Sequence, residues 1–122
     1  MSTTPDPRPT VVADGSNWVV TGLRCAACGY VTFARPPRCP ECRHELVAAS
    51  FGPLGTVWSS TVVRVAVPGR TPPYGLAYVD LANGPRVLAH VSSGDTRLAV
   101  GTTVVVVASS PDGDVMVEVQ AA

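Results

Sequence analysis

Lysine is absent from this 122-residue chain, and all nine of its basic residues are arginine. Six aspartates and three glutamates balance them, so the formal net charge is zero. Proteins that hold polyanions by bulk electrostatics are usually basic, and this one is not. Aromatic residues are scarce, with two Trp, three Tyr and two Phe. That leaves little material for the stacking platforms that bind single-stranded nucleic acid. No apolar run approaches the roughly 20 residues of a membrane span. The longest, Val104 to Ala108, has the length of a strand. Neither a phosphate-cradling glycine loop nor a dinucleotide fingerprint nor a GxSxG elbow occurs. Helical periodicity is missing too: no window repeats apolar residues at i, i+3, i+4 and i+7.

What the chain does contain is four cysteines in two matched pairs, Cys25-Ala26-Ala27-Cys28 and Cys39-Pro40-Glu41-Cys42, ten residues apart. Two residues between thiolates let both sulfurs grip one ion while the intervening amides point at them. Two such knuckles face to face complete a tetrahedral S4 shell with no open position, which makes the metal structural. Zinc suits the set, and iron in a rubredoxin-type centre also accepts four thiolates. The competing readings are two disulfides or free thiols. The chain opens on a plain methionine without a secretory apolar stretch, so a reducing, cytoplasmic location is expected, which argues against disulfides.

Residues 1–17 read as a disordered tail, because Pro5, Pro7 and Pro9 alternate with polar residues. Beyond them Gly and Pro punctuate the chain every eight to twelve residues, with β-branched runs between. Trp18–Arg24, Tyr30–Phe33 and His44–Phe51 are the expected strands of a zinc ribbon over residues 18–51. Gly52-Pro53 marks the joint to a second unit, residues 52–122. Five strands are expected there. Gly55–Val67 comes first, with Val57, Thr61, Val63, Val65 and Val67 on one face and Trp58, Ser60 and Arg64 on the other. Tyr74–Leu81 and Pro85–Val91 follow, joined through Asn83-Gly84, a strong hairpin signal. Thr102–Ala108 is a near-continuous valine run, expected to be buried on both faces, and Val115–Val119 closes the set. The expected fold class is all-β: a rubredoxin-like zinc ribbon followed by a five-stranded OB-fold barrel.

Catalysis finds few residues to work with. His44 follows the second knuckle and is placed to support a cysteine sulfur. His90 lies in a strand facing opposite to Val91, where a lone histidine is ordinarily a packed or surface residue. Every cysteine is spent on the metal, so no nucleophilic thiol remains, and the chain reads as a non-enzyme. Binding has more support. Arg24, Arg35, Arg38 and Arg43 gather in the ribbon against only Glu41 and Glu45. Such a patch suits an anionic ligand or an acidic partner, or simply a solvated rim. A second candidate is the proline-stiffened connection from Val67 to Tyr74, with Pro72, Pro73 and Tyr74 bordering the face that OB barrels commonly use.

Taken together, LRCAACGYVTFARPPRCPEC, then GPLGTVWSSTVVRVAVPGRTPPYGLAYVDLANGPRVLAHV, then VGTTVVV resemble the zinc-ribbon plus OB-fold acyl-CoA-associated proteins, partners of thiolase-like enzymes. The match runs from Leu23 to about Glu118. The resemblance implies a partner of thiolase fold (a thiolase, a sterol side-chain aldolase or a polyketide-type acyltransferase) whose acyl-CoA site the protein completes or bridges, or whose complex it stabilises. Position by position, Cys25, Cys28, Cys39 and Cys42 match the zinc ligands, and Pro73, Tyr74 and the strand after them match the loop near CoA or partner. Two departures stand out. Family members carry one or two helices ahead of the ribbon, where this chain has a Pro-rich stretch, and an aromatic-proline ending where it has VMVEVQAA. The function expected is thus a non-catalytic accessory subunit of a thiolase-superfamily enzyme acting on acyl thioesters. The alternative is a nucleic-acid-binding ribbon/OB module.

Overall fold

Short β-branched segments separated by Gly and Pro turns cannot reach helical length, and they pair instead. In the computed structural model, residues 9–66, 68–92, 97–110 and 113–120 are described, and all regular elements among them are strands. No helix among them is long and apolar enough to cross a membrane.

The first sheet begins earlier than the sequence suggests. Strand β1 (Thr10–Asp14) pairs antiparallel with β2 (Asn17–Cys25) through a two-residue turn in which Gly15 takes φ +63°. The expected tail over residues 1–17 is therefore corrected from Thr10 onward; residues 1–8 lie outside the described part. β1 escaped notice because it is mostly exposed and shows no apolar alternation. It exists through its ladder to β2 and its packing against the barrel. The sheet is completed by β3 (Val31–Thr32) and β4 (Leu46–Phe51), both antiparallel to β2.

β4 ends at Phe51, and β5 (Leu54–Val63) starts the second sheet after Gly52, which takes φ +93°. With β6 (Tyr74–Leu81), β7 (Arg86–Val91), β8 (Thr103–Ser109) and β9 (Val115–Val119) it closes a barrel in the order β5-β6-β7-β9-β8. All its pairs are antiparallel except β7 with β9, joined in parallel at His90–Met116 and Val91–Val117. This is the expected Greek-key OB barrel.

Valine and alanine side chains fill most of it. Val57, Ala77, Val79, Val87, Ala89, Val104, Val106, Val115 and Val117 are buried, and Val20 and Phe51 of the first sheet join the same cluster. Phe51 is only 1% exposed, and burying a side chain of that size contributes about 1.5–3 kcal/mol. The core therefore runs continuously from one sheet into the other.

Two expectations about facing are corrected. The register of β5 steps over Trp58, since Val57 pairs with Val79 and Ser59 with Tyr78. After this bulge Ser60 and Val62 lie opposite the buried Ala77 and Gly75, and Thr61 is exposed. An inserted residue shifts every later side chain to the other face. In β8, Val104 and Val106 are buried, but Val105 and Val107 are only half-buried on the side that β1 and β2 partly cover. Val67 lies outside the described residues.

Candidate metal centre and binding surfaces

Two backbone turns of one design present the cysteines. In the first, Gly29 N–H donates to Cys25 C=O (3.0 Å) and Cys25 N–H donates to Tyr30 C=O (2.7 Å). In the second, Arg43 N–H donates to Cys39 C=O (2.8 Å) and Cys39 N–H donates to His44 C=O (2.9 Å). Each turn closes on a left-handed residue, Gly29 at φ +82° and Arg43 at φ +67°. β2 delivers Cys25 directly, and β4 leaves the second knuckle, so the β2–β4 ladder brings the two turns face to face.

The four sulfurs all lie within 4.8 Å of one another. Cys25 Sγ is 3.4 Å from Cys42 Sγ, and Cys28 Sγ is 3.7 Å from Cys39 Sγ. A tetrahedral ion with metal–sulfur bonds of about 2.3 Å needs sulfur–sulfur edges of about 3.8 Å. The set is thus close to the size of a tetrathiolate metal shell. Glu41 N–H donates to Cys39 Sγ (3.4 Å), and His44 Nδ1 lies 3.2 Å from Cys42 Sγ.

The electrostatics favour a cation. The backbone amide of Cys28 leads the interactions that lower the Cys25 thiol to about 6, against the cost of burial. Cys42 is pushed up to about 12: the amide of His44 opposes this, and burial together with the neighbouring thiols outweighs it. Cys28 is also raised, with the amide of Tyr30 opposing and burial and the Cys25 and Cys39 thiols prevailing. One thiolate forms readily and then disfavours the others, so the full set of negative charges requires a bound ion.

The remaining sequence candidates fall in two separate places. Arg35 and Arg38 are exposed on the connection between the knuckles. Pro72, Pro73 and Tyr74 enter β6 on the barrel, after a cis Pro72–Pro73 bond. Among the described residues no hydrogen bond, ion pair or ring contact joins Arg35 or Arg38 to the Pro72–Tyr74 segment.

Tyr74 belongs instead to a cluster that sequence reading missed. The Arg70 guanidinium lies 5.4 Å from the Tyr74 ring centre and donates to Asp114 Oδ2. His90 Nε2 is 3.5 Å from the same oxygen, and its ring centre is 6.1 Å from that of Tyr74. Asp114 N–H donates to Ser110 Oγ (3.0 Å). The imidazole is only 14% exposed, and its buried Nδ1 has no hydrogen-bond partner among the described residues. Burial first, and then the Arg70 charge, hold the His90 pKa below its ordinary value, although Asp114 pulls upward. No local signal in the sequence links these residues, because barrel closure brings the β5–β6 and β8–β9 connections against strands β6 and β7.

A second missed group lies on the outer faces of β5, β6 and β7. Trp58 meets Tyr78 edge to face (6.1 Å, 78°), and the Arg86 guanidinium sits 3.9 Å over the Trp58 ring. Asp80 holds Arg86 with bonds of 2.7 and 3.2 Å, and this pairing lowers the Asp80 pKa.

Comparison with known proteins agrees with this architecture. A family model described as "ChsH2, C-terminal OB-fold domain" matches residues 47–109, just over half of the chain. The benzoylsuccinyl-CoA thiolase subunit BbsA of Thauera aromatica is 27% identical over 99 residues, covering 74% of this chain and 69% of its own length. A DUF35 domain-containing scaffold protein of Methanocaldococcus jannaschii is 31% identical over 78 residues, covering 61% of this chain and 55% of its own. Among solved structures, "Ltp2-ChsH2(DUF35) aldolase" superposes with a TM-score of 0.69 at 23% identity, over 83% of this chain and 84% of that one. At that identity the likeness concerns the fold.

Proposed function

Since the chain belongs to the family of the ChsH2 C-terminal OB-fold domain, we propose that it is a non-catalytic accessory subunit of a thiolase-superfamily enzyme. In this role it helps to position an acyl-CoA or other acyl thioester and stabilises the complex. The observation that carries the reading is similarity across most of the chain to BbsA, itself named as a subunit of a CoA thiolase. The archaeal relative named as a scaffold protein points the same way.

The site residues fit an accessory role. Cys25, Cys28, Cys39 and Cys42 would hold a structural zinc, which supplies a rigid cross-link and no chemistry, because four thiolates leave it no open position. The thiols are thereby removed as nucleophiles. The remaining barrel histidine, His90, is largely buried with Nε2 turned to Asp114. Such an imidazole is poorly placed to exchange protons with a substrate.

Docking and ligand contact are assigned to Arg35 and Arg38 on the ribbon and to Pro72, Pro73 and Tyr74 on the barrel. The prolines lose little entropy on binding, and Arg70 already fixes the Tyr74 ring. The test is co-expression with a thiolase-fold enzyme from the same source. The two should co-purify, the enzyme should gain activity or solubility, and the accessory chain alone should cleave no acyl-CoA. Thioester turnover by the isolated chain would overturn the reading.

A further inference from the structure

The outer face of β6 and β7 ends in a cluster drawn from two strands and two connections. Tyr74 opens β6, and His90 stands diagonally across from it on β7, where its ladder partner is Leu76. Arg70 comes from the connection between β5 and β6, and Asp114 from the one between β8 and β9. In OB barrels these two connections border the ligand face. Here they are joined, because Arg70 Nη2 donates to Asp114 Oδ2.

The two ends of this clasp differ. Asp114 is fixed within its own turn: Ser110 N–H donates to Asp114 C=O (2.9 Å), and Asp114 N–H donates to Ser110 Oγ (3.0 Å). Arg70 belongs to the longer connection, and its guanidinium lies 5.4 Å from the Tyr74 ring centre. Tyr74 is thus held by two contacts. One is Arg70, anchored at Asp114, and the other is the His90 ring, 6.1 Å centre to centre and tilted by 36°.

His90 makes the arrangement sensitive to protons. Its Nε2 faces Asp114 Oδ2 at 3.5 Å, so the neutral ring keeps its hydrogen there and a second proton goes to Nδ1. That atom is buried and has no hydrogen-bond partner among the described residues. A charged donor without an acceptor is costly in such a place. The imidazolium would also stand beside the Arg70 cation at the same carboxylate oxygen. Among the described residues, the charged or titratable groups facing the ring are Arg70, Asp114 and Tyr74; its ladder neighbours Leu76 and Met116 carry no charge. Charging His90 therefore works against both contacts that hold Tyr74. Its lowered pKa has the same two causes, burial and then the Arg70 charge.

We propose that Arg70, Asp114 and His90 are positioning residues for Tyr74: the clasp holds the ring as it is presented to a partner, and protonation of His90 releases it. Only the identity of the partner rests on the accessory-subunit reading; the clasp belongs to the chain itself.

The test begins with NMR of the zinc-loaded full chain between pH 7.5 and pH 5.0, with zinc content checked at each point. The Tyr74 ring signals should shift with the same midpoint as the His90 imidazole. Arg70→Gln should raise that midpoint by removing a neighbouring positive charge, and Asp114→Asn should lower it. Arg70→Lys, which keeps the charge, should leave it close to the parent's. In binding titrations with a co-expressed thiolase-fold enzyme at pH 7.5, Arg70→Gln should weaken the complex about threefold to tenfold. It should weaken no further a chain already carrying Tyr74→Ala, because Arg70 acts through that ring. The affinity lost between pH 7.5 and pH 5.5 should shrink in His90→Gln. Tyr74 signals that ignore the His90 titration, or additive losses for Arg70→Gln and Tyr74→Ala, would overturn the proposal. If the complex forms but the two rings titrate independently, the accessory reading stands and the clasp falls. If the rings titrate together but no thiolase-fold enzyme binds, the clasp stands and the accessory reading falls.

Discussion

Arg43 occupies at the second knuckle the backbone position that Gly29 occupies at the first. Their φ angles are +67° and +82°, and each N–H donates to the carbonyl of the cysteine four residues before it. A left-handed conformation costs a residue bearing a Cβ about 1–2 kcal/mol, and glycine avoids that at a smaller entropic cost. Arg43→Gly should therefore stabilise the zinc-loaded protein by about 0.5–1 kcal/mol, read as a higher thermal midpoint. A lower midpoint would show that the arginine side chain contributes more than its backbone costs. Gly29→Ala should destabilise, and purely through torsion, since an added Cβ meets nothing within 4 Å.

One zinc per chain is expected by elemental analysis. Cys39→Ser removes a buried ligand from a set whose sulfurs lie within 4.8 Å. Structural zinc contributes on the order of 10 kcal/mol, so the variant should lose metal and the amide protection of the β2–β4 ladder. Two disulfides found by mass spectrometry in place of metal would refute the assignment, and an iron spectrum would reassign the ion.

Gly84→Ala should destabilise by about 1–3 kcal/mol, the usual range for overpacking. A Cβ there would fall 2.6 Å from Phe51 Cβ and Cγ, and Phe51 is locked in the core. The left-handed residue of the turn is Asn83, at φ +59°, so Asn83→Gly should be nearly neutral. Equal urea midpoints for the parent and Gly84→Ala would show that the β6–β7 turn can move away from Phe51.

Stability should fall as the pH drops below about 6.5, and His90 should account for part of that fall. Its folded pKa lies below the unfolded value of 6.5, chiefly because it is buried. The unfolded chain therefore binds more protons in that window, and acid favours unfolding. Above the unfolded pKa the contribution is fully present. His90→Gln should flatten the difference between denaturation midpoints at pH 7.5 and pH 5.5. An unchanged slope would remove His90 from the account.

Tyr74→Ala, or Arg35→Glu with Arg38→Glu, should weaken the complex with a thiolase-fold enzyme about tenfold or more in a binding titration. Zinc content should not change. Parent-like affinity and turnover in these variants would place the docking face elsewhere.

Properties that depend on spacing and local periodicity are legible in the sequence. Paired CxxC knuckles, Gly- and Pro-bounded strands and the run from Tyr74 to Leu81 follow from short-range chemistry, and the structure places that strand over the same residues. Properties that depend on contacts between distant segments emerge on folding. β1 was hidden in a proline-rich stretch because its support is the ladder to β2 and not a pattern of its own. The bulge at Trp58 moved Ser60 inward against an alternation that looked uninterrupted. Gly84 read as a turn residue, yet the reason no side chain fits there is Phe51, more than thirty positions away. Arg70 and Asp114, on two different connections of the barrel, meet beside His90 of β7. Local preferences choose which segments become strands; barrel closure sets their register, and register decides which side chains meet.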